Sequence, residues 1–171
     1  MGLINKKHMV IVGYGDVGNL VGKIMKNGFG MKVTGIKKKP TWPLIPREHK
    51  ENCDEIVGPE DYDKVVADAD YVVGILPGMD ETQDFFSKDS TFDKMKKGST
   101  FINIGNGSTV NEEDLMQALK SEHIGFAALD SFKEQPLGKY NQIWDMPNTL
   151  LSPNCAEQDP ECMKRVFDVV G

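Results

Sequence analysis

A chain of 171 residues, 39% of them hydrophobic, can bury a core of its own without disulfides or metals and fits one domain spanning 1–171. Its 20 basic and 26 acidic residues leave a net charge of −6, which argues against a general nucleic-acid or acidic-membrane partner. Cys53, Cys155 and Cys162 make no CxxC pair and read as thiols of a reducing compartment; MGLINKKHMV lacks a signal-peptide stretch and no run is long enough to span a bilayer, so the expected location is the cytoplasm.

The stretch HMVIVGYGDVGNLVGKIM (8–25) opens the chain with an apolar strand that runs into Gly13, Gly15 and Gly18. An amphipathic helix follows, with Val17, Leu20, Val21 and Ile24 on one face. In such a turn the first glycine permits the bend, the second has no Cβ to block a pyrophosphate, and the third lets helix and strand pack closely. The helix then aims its free N–H groups and positive dipole end at the phosphates. Glycine-rich turns also arise for purely structural reasons, but the position between a strand and a helix favours a dinucleotide.

A second strand is expected at 31–36. Residues 37–53 carry Pro40, Pro43 and Pro46, which predicts a long crossing loop rather than a regular helix. A short strand at 54–57, a helix at 62–67 and the strand YVVGIL (71–76), closed by Pro77 and Gly78, follow. Residues 80–95 read as helical with a break near Ser87. The strand STFINI (99–104) then opens onto Gly105, Asn106 and Gly107, and a loop at a strand's C-terminal end is where such sheets bind ligands. A helix is expected over 111–121, capped by Asn111, with Glu112, Glu113 and Asp114 where the dipole favours acids. A strand at 125–130, a looser stretch with Pro136, Gly138 and Pro147, a strand at 148–152 and a last helix from 159 complete the chain, in α/β order.

Selection between the nicotinamide cofactors is usually made at the end of the second strand, where an acid bonds the ribose 2′-hydroxyl or a base accepts a 2′-phosphate. Here Lys37, Lys38 and Lys39 follow Ile36, which favours NADP(H) over NAD(H). The competing reading is a solvated loop whose charge only aids solubility.

The order GYGDVG, ILPGMDET, FINIGNGSTVNEEDL, AALDSFKEQPL, IWDMPNTLLSPN resembles the cofactor domain of the D-2-hydroxyacid dehydrogenases over nearly the whole chain. The resemblance implies a Rossmann-type doubly wound parallel sheet in three α/β/α layers, and hydride transfer between a nicotinamide dinucleotide and a small 2-keto or 2-hydroxy acid. It places Gly13, Tyr14, Gly15 and Gly18 on the family's turn, with Asp16 and Val17 presenting backbone amides. Leu76 and Pro77 fall on the adenosine side of the cleft. Ile104, Gly105, Asn106 and Asn154 fall beside the nicotinamide, and Asp130 matches an acid that holds the carboxamide. Leu76 and Ile104 can equally be core, and Asp130 can equally cap a turn. The resemblance also implies a homodimer, with IWDMP as a candidate contact, and a second, substrate-binding domain that this chain does not contain.

At the family's catalytic positions the sequence departs. Asn106 stands where the family has an arginine, Gln135 where it has a glutamate, and Asn154, after Pro153, where it has a histidine. A one-residue shift would bring Glu134 to the glutamate position, but no histidine or arginine adjoins Asn154 or Asn106. Histidine can protonate a developing alkoxide near neutrality, whereas an amide cannot. Two functions therefore stand: an NADPH-linked oxidoreductase domain acting within a longer parent, and a catalytically inactive NADP(H)-binding or assembly module.

Overall fold

The structure, a computed structural model, describes residues 3–39 and 45–156. Among them, β1 (His8–Val12), β2 (Lys32–Ile36), β3 (Glu55–Val57), β4 (Tyr71–Gly74), β5 (Ser99–Asn103), β6 (Ile124–Leu129) and β7 (Thr149–Leu151) form one sheet. Its order is β3-β2-β1-β4-β5-β6-β7, and every neighbouring pair runs parallel. The helices are α1 (Asp16–Lys23), α2 (Arg47–Glu51), α3 (Tyr62–Ala67) and α4 (Glu112–Lys120). This is the doubly wound α/β fold expected from the sequence, with the direction of winding reversing between β1 and β4. Among the described residues no helix is long and apolar enough to cross a membrane.

The sequence HMVIV makes a central strand because all five residues are buried and a parallel strand is covered on both faces. Alternation then divides its side chains. Val10 and Val12 join Val65, Val66, Phe101 and Leu115 in one core, whereas Met9 and Ile11 join Tyr14, Val33 and Cys53, with Val21 and Met25 packed against them, on the other face. Buried His8 bonds Thr34 Oγ1 through Nε2 at 2.9 Å, while its Nδ1 lies 3.2 Å from Asp68 Oδ2 without making a hydrogen bond.

On α1 the buried residues are Gly18, Asn19 and Gly22, while Val17, Leu20 and Ile24 of the apolar stripe are about half exposed and Val21 packs against the core. Small residues allow the helix to approach the strands closely. Two expectations further along the chain are corrected. Residues 80–95 are not helical apart from 3-10 turns at Asp80–Thr82 and Phe92–Lys94. There Phe86 bridges Val110, its N–H donating to Thr109 O at 2.8 Å and its carbonyl accepting from Asn111 N–H at 2.9 Å. Phe86 and Phe92 both pack on Phe101, so burying the rings displaces the helix. Finally, the proline-rich segment contains the short helix α2 after Pro46. The expected helix from 159 lies outside the described residues, as do Pro40, Pro43 and Cys162.

Candidate functional site

The glycine turn sits at the C-terminal end of β1. Its Gly13 and Tyr14 N–H groups both donate to Ile36 O, at 3.1 and 2.9 Å, which ties the turn to the end of β2. Gly13 has φ +100°, and a Cβ there would lie 2.4 Å from Ile75 O. A Cβ on Gly18 would lie 2.7 Å from Gly13 O, whereas one on Gly15 would meet nothing within 4 Å. The three glycines therefore divide the work as expected, with bend and close packing at the outer two and open space at Gly15. The first bond of α1 runs from Asn19 N–H to Gly15 O at 2.8 Å. The amides of Asp16, Val17 and Gly18 precede it and have no acceptor within the helix, at its positive end.

Tyr14 is among the residues that line the cleft over the turn, but its side chain is buried. Its ring is 1% exposed, occupies the space a Cβ on Gly35 would need and meets His49 edge-on at 6.0 Å. Its hydroxyl donates to His49 O at 3.2 Å, and burial pushes that phenol well above its usual value. The side chain anchors the turn to α2, and the backbone N–H is given to Ile36 O.

Above the turn a cavity of about 500 Å³ runs between the ends of β1, β2 and β4. Gly13, Gly15, Ile36, Ile75, Leu76, Pro77, Met79 and Phe85 line it, and Lys37, Lys38 and Glu81 stand on its rim. Lys37 Nζ donates to Tyr14 O at 3.4 Å, over the turn. Lys38 Nζ pairs with Glu81 Oε2 at 2.5 Å across the mouth. Lys39 is exposed on the loop beyond. Apolar walls, an open gap over Gly15 and a basic rim are what an adenosine, a pyrophosphate and a ribose phosphate each require, so the residues present fit a dinucleotide.

The other expected site residues lie further along the same sheet edge. Ile104 and Gly105 N–H groups share Gly74 O, each at 3.1 Å. The Asn106 side-chain oxygen accepts from Ser108 N–H at 3.0 Å and caps the turn Gly107–Thr109. Buried Asp130 is committed to the segment after β7: it accepts from Ser152 Oγ at 2.5 Å, Cys155 N–H at 3.0 Å and Ala156 N–H at 2.9 Å. Burial would raise its carboxyl, but these donors outweigh it and hold the group below the usual carboxylate range. The turn so held carries Asn154 at φ +53°, a conformation asparagine tolerates. Asn154 Nδ2 donates to Gln135 Oε1 at 3.1 Å, and the pair borders an apolar cavity of about 710 Å³ shared with Phe132, Leu137, Trp144 and Leu151. The structure thus brings Gln135 and Asn154 into contact.

Sequence reasoning missed Glu81 and Ser152. Glu81 lies within the ILPGMDET motif, and its position after a strand was the available signal; nothing local marked Ser152 as a partner of Asp130, 22 residues away.

The family model of the D-isomer specific 2-hydroxyacid dehydrogenase, NAD binding domain, matches residues 2–156. A probable 2-ketogluconate reductase of Dictyostelium discoideum is 32% identical over 153 residues, covering 88% of this chain and 43% of that protein. A D-isomer specific 2-hydroxyacid dehydrogenase family protein from Aeromonas salmonicida superposes with a TM-score of 0.85 at 28% identity, over 99% of this chain and 52% of that one. An NADPH-dependent glyoxylate/hydroxypyruvate reductase from Sinorhizobium meliloti, solved with NADP and sulfate, gives 0.85 at 26% identity, over 99% and 52%. The chain spans about half the length of the relatives it matches.

Proposed function

The chain belongs to the D-isomer specific 2-hydroxyacid dehydrogenases through their NAD-binding domain, and from that premise we propose that it holds NADP(H) in preference to NAD(H) and serves 2-keto acid reduction within a longer parent. The observation that carries this reading is the cavity over Gly15 with Lys37 and Lys38 on its rim. Bound there, the cofactor supplies or accepts a hydride. The chain's own residues do the rest. The amides of Asp16, Val17 and Gly18 face the pyrophosphate, and Leu76 and Pro77 enclose the adenosine. The lysines meet the 2′-phosphate as charge-assisted donors. Ile104, Gly105, Asn106 and Asn154 border the nicotinamide, with Asp130 holding the turn beneath it. A second domain supplies the other wall of the substrate cleft, and a homodimer forms through this domain with IWDMP in the contact.

A second reading is favoured by the Gln135–Asn154 hydrogen bond. Two amides linked in this way orient each other but carry no group that titrates near neutrality, so they bind without delivering a proton. On this reading the chain is an NADP(H)-binding or assembly module. Calorimetry with both cofactors, followed by NADPH oxidation with glyoxylate, hydroxypyruvate and pyruvate on the parent protein, tests both. Binding of NADPH at least about tenfold tighter than NADH, a margin of about 1.4 kcal/mol, is expected. Equal affinities overturn the NADPH preference. Tight binding without turnover on any keto acid overturns the dehydrogenase reading and leaves the module.

A further inference from the structure

The Lys38–Glu81 ion pair is the feature that the cofactor site does not by itself explain. Lys38 leaves the end of β2 and Glu81 stands in the 3-10 turn Asp80–Thr82 beyond β4, so their 2.5 Å contact joins two rims separated by 43 residues of chain. Both side chains line the adenosine cavity, and both are more than half exposed. Lys37 is turned inward over the glycine turn. Lys38 is therefore the rim lysine that already has an anionic partner.

We propose that Glu81 is a specificity-determining residue, a resident counter-charge that a 2′-phosphate must displace from Lys38; this rests on the NADP(H) reading above. NADH has a 2′-hydroxyl and leaves the pair intact. NADPH exchanges one ion pair for another, and its phosphate also enters beside a carboxylate of like sign. The preference for NADPH is thus the difference between two contacts to the same ammonium, smaller than an unopposed lysine would give. A neutral residue at position 81 releases that opposition while keeping the apolar walls.

Two further consequences separate this from a merely structural ion pair. Because one pair replaces another, the NADPH:NADH affinity ratio of the unchanged protein varies little with salt. Without Glu81 a new pair forms on binding, and the ratio falls more steeply as salt rises. The effect of Glu81 also runs largely through Lys38, so the two substitutions are non-additive.

The test is calorimetric titration with NADPH and NADH of the unchanged chain, Glu81→Gln, Lys38→Met and the double variant, at low and high salt. Glu81→Gln is expected to tighten NADPH about threefold, the scale of one exposed charge pair, with NADH unchanged. In the Lys38→Met background the same change is expected to have less than half that effect. An unaltered ratio in Glu81→Gln, equal weakening of both cofactors, or an undiminished shift in the Lys38→Met background each overturns the proposal. Should the unchanged chain itself show no preference for NADPH, the NADP(H) reading fails instead, and that outcome is separately visible in the first titration.

Discussion

Gly13 and Gly15, two residues apart, are expected to fail in opposite ways when each is replaced by alanine. At position 13 the new Cβ would sit 2.4 Å from a backbone carbonyl in a residue held at φ +100°. Left-handed backbone costs a non-glycine residue about 1–2 kcal/mol, and forcing an atom into a packed wall adds about 1–3 kcal/mol. Gly13→Ala therefore loses about 3 kcal/mol, or about 6–12 °C in Tm for a chain of this size. At position 15 the backbone has φ −94°, which alanine adopts freely, and the Cβ meets nothing within 4 Å. The gain from a stiffer unfolded chain, about 0.4–1 kcal/mol, offsets alanine's poorer capping of α1, typically about 1 kcal/mol. Tm then stays within about 2 °C of the unchanged chain. The methyl group nevertheless points into the space proposed for the pyrophosphate, and NADPH binding should weaken at least about tenfold. Differential scanning calorimetry and isothermal titration on the two variants separate the effects. Gly15→Ala binding NADPH as well as the unchanged chain would refute the path over Gly15, and an equal Tm loss in both variants would refute the division of labour among the glycines.

Tyr14→Phe should cost about 1 kcal/mol in urea unfolding by removing the bond to His49 O, while NADPH affinity is unchanged, because the ring lies behind the turn. Asp130 gives a pH signature. Its folded carboxyl is held below the ordinary value, so its stabilising contribution is complete above the unfolded pKa, about 3.9, and fades as pH falls through the lower folded value. Asp130→Asn should therefore be less stable than the unchanged chain at pH 7, with the gap closing below about pH 4 in thermal melts; a gap independent of pH would dismiss the carboxylate's role in holding 152–156. Asn52→Ala should lower stability by about 1–3 kcal/mol, read from urea midpoints, because buried Asn19 loses its 3.0 Å partner.

The strands were legible because a buried parallel sheet demands apolar runs, and each expected run coincides with an observed strand to within a residue or two. Helices were less so. The 3.6-residue period in α1 correctly found a helix and its stripe, yet periodicity alone cannot say that Gly18 and Gly22 make the packing face. Over 80–95 the residues favour a helix locally, but Phe86 and Phe92 are drawn into the aromatic cluster around Phe101. The glycine turn could be read because its chemistry is local in sequence. The contacts that turn it into a site are not local: Lys38 with Glu81, Asp130 with Ser152, and Tyr14 with His49 join residues 22 to 43 apart. Only the folded chain brings those partners together.

Gln135 and Asn154 bear on the second of the two functions proposed above. A lone substitution of a hydrogen-bonded pair leaves the remaining member without its complement, at the cost of an unsatisfied polar group. Here both members are amides, and the donor of Asn154 reaches the acceptor of Gln135 at 3.1 Å. Asn106 is also committed, its side-chain oxygen serving as a helix cap rather than pointing a charge into the cleft. Beneath them Asp130 still fixes the turn that carries Asn154. The frame is therefore self-consistent without any ionised side chain among the three positions. If the chain is the binding module proposed above, Gln135, Asn154 and Asn106 would offer a polar, uncharged group neutral donors and acceptors and no proton near neutrality, and a turnover assay with keto acids on the parent protein is the measurement that decides it.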